Sequence, residues 1–80
     1  MQIIARSTLI EGPGTRPGRI VLYIRDHPYH PYVVHNILEE DGSKFQGTYT
    51  GSLLVAVTEF ERRCKTDGVQ DERLPAKVGA

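Results

Sequence analysis

Tryptophan is absent, phenylalanine occurs only twice, and there is a single cysteine. One cysteine excludes an internal disulfide, so no covalent staple holds the fold and nothing points to secretion. No apolar run approaches the roughly 20 residues that a membrane span needs. The N-terminus lacks the charged-then-apolar pattern of a signal peptide, so the expected setting is cytoplasmic. An excess of either charge is missing too, since ten Lys plus Arg balance ten Asp plus Glu. That balance argues against a strong non-specific polyanion binder, whose affinity comes from cations neutralising phosphates. Eighty residues allow one domain. A chain of this size buries only about 60–65% of its unfolded surface, for a stability of about 4–12 kcal/mol.

What is present divides cleanly along the chain. Gln2 to Ile10 is apolar and partly β-branched, a first strand. Glu11 to Gly18, rich in Gly and Pro, is a loop. Arg19 to Asp26 alternates, with Ile20, Leu22 and Ile24 on one side and Val21, Tyr23 and Arg25 on the other, the period of a strand. The proline-stiffened HPYHPY connection of residues 27–32 leads to a third strand, Tyr32 to Glu40. Asp41-Gly42 then suits a type I′ turn, which needs φ > 0 at both central positions. That turn would pair Glu39 with Lys44, Leu38 with Phe45, Ile37 with Gln46, His35 with Thr48 and Val34 with Tyr49. Val34, Leu38, Phe45 and Tyr49 would then lie on the core face.

A helix follows, capped by Ser52 or Thr50. Leu53, Ala56, Val57, Phe60 and Cys64 form one apolar stripe at spacings of three and four. Glu59–Arg63 and Glu61–Lys65 are favourable i, i+4 pairs, and Gly68 is the expected terminator. The expected fold is α+β: three to four antiparallel strands with one C-terminal helix on one face, in β-β-β-β-α order. Residues 1–68 make the domain and residues 69–80 a flexible tail.

Chemistry-bearing residues are few. In an extended segment, His27 and His30 stand about 9 Å apart along the backbone, too far to share a metal whose ligands lie about 2 Å away. Cys64 falls on the apolar stripe, where a small buried hydrophobe belongs. Gly12-Pro13-Gly14 lacks the Gly-Lys-Ser/Thr and following helix of a phosphate loop. Glu39, Glu40 and Asp41 crowd a hairpin tip, and so small a chain offers little wall for a deep substrate pocket. No catalytic residue, metal or cofactor is expected, and no enzyme activity.

The informative surface is the second face of the sheet. With the helix on the other side, Val21, Tyr23, Arg25, Val33, His35 and Ile37 are left on a bare face that is unusually apolar for one in water. The reading is a protein-interaction or homodimerisation module, its partner a second copy or another protein. An alternative is weak single-stranded nucleic-acid binding, with Tyr23 stacking on a base beside Arg6, Arg16, Arg19 and Arg25.

The stretch YVVHNILEEDGSKFQGTYTGSLLVAVTEFERRC (residues 32–64) resembles small uncharacterised sheet-plus-helix proteins of bacterial plasmids, integrated elements and phages. It is more loosely similar to antitoxins of the HicAB type. Gly47, Tyr49, Ser52, Leu53, Ala56 and Phe60 carry the likeness. They are turn, cap and core residues, so the resemblance implies a fold rather than an activity. The HPYHPY connection and the want of a separate DNA-binding domain in these residues depart from the antitoxin pattern, and toxin neutralisation is not carried over.

Overall fold

The computed structural model describes residues 1–75. Four strands, β1 (Gln2–Arg6), β2 (Gly18–Ile24), β3 (Tyr32–Leu38) and β4 (Lys44–Thr50), precede one helix, α1 (Leu53–Thr66). The strands form an antiparallel meander in the order β1-β2-β3-β4, so the expected α+β architecture is present with four strands. The first strand is shorter than expected, but Ile10 still bridges Gly18 and closes the Gly/Pro loop between them.

The core lies between sheet and helix: Ala5, Ile20, Leu22 and Val34 from the strands meet Ala56, Phe60 and Cys64 from α1. Ser52 caps the helix by accepting a hydrogen bond from the Val55 N–H at 3.2 Å, and Gly68 follows it with φ 68°. Leu53, expected on the buried stripe, is instead exposed. Of the two expected ion pairs Glu59–Arg63 forms, at 2.6 Å, whereas Glu61–Lys65 does not appear among the described residues. Arg63 also donates to Asn36 Oδ1 on β3 and Thr48 Oγ1 on β4, both at 2.9 Å. It therefore bolts helix to sheet. Hydrogen bonds from Arg62 and Arg63 hold the Glu59 carboxyl at about 2.

Two expectations are corrected. The β3–β4 turn is not type I′: Gly42 has φ 72° but Asp41 does not share the left-handed region. Instead Leu38 N–H donates to Ser43 O, Gly42 N–H donates to Leu38 O, and Asp41 Oδ1 accepts from the Ser43 N–H. This four-residue connection shifts the register, which runs Ile37↔Lys44, Asn36↔Phe45 and Val33↔Tyr49, with an irregularity between Val34 and Asn36. Phe45 and Tyr49, assigned to the core, are 43% and 48% exposed. The second correction concerns the tail. Val69 packs on the core, Thr8 N–H donates to Gln70 O at 2.7 Å and Glu72 N–H to Arg6 O at 2.8 Å. Residues 69–75 thus continue the fold past β1; the rest of the expected tail, 76–80, lies outside the described residues.

Candidate interaction surface

The face away from α1 is built by the alternation of β2 and β3. Val21 pairs with His35, Tyr23 with Val33 and Arg19 with Ile37, which puts these side chains together on one side. Val21, Tyr23 and Val33 form a second apolar cluster with Ile37 packed against it. The face was expected to be bare, but its floor is covered: Val33 is 0% and His35 7% exposed. Long side chains at the margin fold inward over it.

Those covering residues make a continuous row. Tyr23 Oη lies 2.9 Å from His35 Nδ1 and Tyr49 Oη 3.0 Å from His35 Nε2. The Tyr23 and His35 rings stack at 5.8 Å, and His35 meets Tyr49 edge-on at 5.4 Å. A cation closes each end. The Arg25 guanidinium sits 4.9 Å from the Tyr49 ring centroid and Lys44 Nζ 5.2 Å from that of Tyr23, both within reach of the negative ring face.

The row depends on the backbone of β4. Gln46 has φ 54°, and His35 stands opposite the Gln46–Gly47 step, where β4 holds one residue more than β3. Such a bulge re-aims the side chains that follow it. It brings Tyr49 onto this face, and at Gly47 the His35 ring occupies the space a side chain would take: a Cβ there would lie 2.4 Å from His35 Nε2.

The electrostatics follow from burial. Burial, then Lys44, Arg63 and Arg25, push His35 below the ordinary imidazole value, so near neutral pH it is uncharged, with one N–H and one bare nitrogen. Burial and the neighbouring Tyr49 push Tyr23 up, which keeps it a phenol. Arg6, Arg16, Arg19, Arg62, Arg63 and Arg73 each meet a carboxylate. Among the described residues Arg25 and Lys44 meet none, and both lie on this face.

All six residues singled out from the sequence lie on this side of the sheet, but Val21, Tyr23, Val33 and His35 are buried, which leaves Arg25 and Ile37 partly accessible. Tyr49 was assigned to the core face, because the one-residue bulge that turns it over was not foreseen; Lys44 was placed on this side of the sheet, opposite Glu39, but not among the contact residues. The signal that could have placed Tyr49 was Gly47, a strand-interior glycine that marks a bulge or a close approach.

Other candidates reduce to structure. His27 Nδ1 accepts from the Tyr29 and His30 N–H groups at 3.2 and 2.9 Å, so the histidine braces its own loop. No group of three metal-ligating side chains occurs among the described residues, and no helix among them is long and apolar enough to cross a membrane. Little pocket wall was expected, yet α1 crosses β2–β4 and leaves an apolar cleft of about 540 Å³ beside β1, lined by Ile4, Leu22, Val57, Phe60, Cys64 and Val69. Burial, with Asp71, Asp67 and Glu61 nearby, pushes the Cys64 thiol up to about 11. Almost none is thiolate at neutral pH, and thiolate is the reactive form. The native protein should therefore resist iodoacetamide at pH 7.5, with alkylation appearing only in urea; rapid modification without urea would contradict this burial.

No protein-family model, curated protein or solved structure matches the chain. The reading of function rests on the geometry.

Proposed function

We propose that the chain is a non-enzymatic binding module whose contact surface is the sheet face turned away from α1. The observation that carries this reading is the row Arg25–Tyr49–His35–Tyr23–Lys44, a half-exposed tyrosine and two cations that meet no carboxylate among the described residues, over a closed apolar floor. Tyrosine and arginine dominate the energetics of protein contact surfaces because they combine large apolar area with polar reach.

A second copy of the chain is the less favourable occupant. A face-to-face twofold lies in the plane of the interface, and one that runs through the row sets Arg25 or Lys44 of one copy against Arg25 or Lys44 of the other. Like charges brought together in a desolvated interface oppose association. A partner carrying negative charge meets no such penalty.

The test is a photo-crosslinking benzophenone amino acid placed at Tyr49 in producing cells, with the same group at Leu54 on the exposed face of α1 as control. Adducts from position 49 and none from position 54 are expected, and charge reversal at Arg25 should abolish them. Adducts from position 54 alone, or from both positions equally, would sink the proposal. Nuclease and protease digestion then identify the partner class.

A further inference from the structure

We infer that the ligand of this face is single-stranded nucleic acid, bound by one base against the Tyr49–Arg25 stack and by phosphates at Arg25 and Lys44. The inference rests on the binding-module reading above and names its partner.

Charge complementarity comes first. The face carries Arg25 and Lys44 uncompensated among the described residues, while Arg6 and Arg19 at its other margin are held by Glu72 and Glu39. On this face the surplus is therefore confined to the aromatic row, although the whole chain is neutral. An anionic ligand is selected there and nowhere else on the sheet.

Hydrogen bonding decides between an acidic peptide and a nucleic acid. An extended peptide on a sheet face needs partners for its N–H and C=O groups, and here the polar atoms of Tyr23, His35 and Tyr49 are engaged with one another. Strand addition at the free edge of β4 is obstructed by the bulge at Gln46, whose φ of 54° breaks the extended backbone. A single strand of nucleic acid makes neither demand. Its phosphates stay solvated, and its bases offer planar faces that stack on tyrosine and guanidinium regardless of sequence. Tyr23, 4% exposed, lies too deep to stack. The role first given to it passes to Tyr49.

The experiment is an NMR titration of the isotope-labelled full chain with a thymidine hexanucleotide, alongside the 6-bp duplex and hexaglutamate. Shifts are expected at the Arg25 side-chain N–H, Tyr49 and Lys44, with a dissociation constant of order 0.1 mM at low salt. Two neutralised phosphates predict a slope near −1.4 for log K against log salt concentration, from about 0.7 per phosphate on single strands. Tyr49→Ala should weaken binding at least about fivefold and Leu54→Ala should leave it unchanged. Hexaglutamate shifting the same resonances as strongly would show that charge alone is read, and would overturn the inference. So would equal binding of the duplex, shifts confined to α1, or none up to about 5 mM. Protein adducts from position 49 in the crosslinking experiment would reject nucleic acid and leave the binding face standing.

Discussion

Gly47→Ala is expected to destabilise the protein by about 1–3 kcal/mol, the range for forcing extra volume into a closed site. Against a total of about 4–12 kcal/mol for eighty residues, that is a large share. The cause is local. The new Cβ would stand 2.4 Å from His35 Nε2 and 2.8 Å from the Tyr49 hydroxyl, well inside van der Waals contact. His35 has no free space to retreat into, being held by Tyr23 on one side and Tyr49 on the other. Urea unfolding of four proteins separates this clash from ordinary loss of a strand glycine: wild type, Gly47→Ala, His35→Ala and the double variant. Removing the imidazole removes the clash, so the alanine should cost much less in the His35→Ala background, a coupling of at least about 1 kcal/mol. Strict additivity would mean that Gly47 matters for the backbone alone. Gly42 is a useful contrast, because a Cβ there meets nothing within 4 Å and only its φ of 72° resists substitution.

The same glycine shows where sequence reasoning stopped. Alternation in Arg19 to Asp26, the apolar stripe through Phe60 and the Ser52 cap were all legible, because each is a local pattern with one dominant physical cause. They yielded the order of elements along the chain and the side of the sheet that α1 covers, but not the pairing of the first strand. The β3–β4 register was not legible. Asp-Gly fits both a two-residue turn and the end of a four-residue connection, and the side chain of Asp41 decides by accepting from the Ser43 N–H. The bulge then moves the register once more, at a glutamine with a positive φ that no propensity favours. Tyr49 therefore changed faces, and the covered row on the candidate surface could not be foreseen. Arg63 was equally opaque: a helix-terminal cation by sequence, it is a link between Glu59, Asn36 and Thr48 by structure.

Acid should weaken the fold through His35. Its folded-state value lies below the ordinary 6.5, by burial and by Lys44, Arg63 and Arg25, so between the two values the unfolded chain binds the extra proton. Stability is then complete above about pH 6.5 and falls as pH drops through that value, levelling off only below the folded-state value. The hydrogen bonds explain why the proton is unwelcome. Neutral imidazole donates to one tyrosine and accepts from the other. Imidazolium donates to both, which takes away the acceptor of whichever tyrosine hydroxyl had been donating and adds charge beside three cations. The carboxylates do not obscure this window. Glu59, Asp41 and Asp71 are held below their ordinary values of 4.5, 3.8 and 3.8, so their contribution is present above those values and lost only in stronger acid. Urea midpoints at pH 7.5 and 5.5 should fall for the wild type and fall less for His35→Gln, whatever that variant's stability at pH 7.5. Equal decreases in the two proteins would place the acid-sensitive group elsewhere.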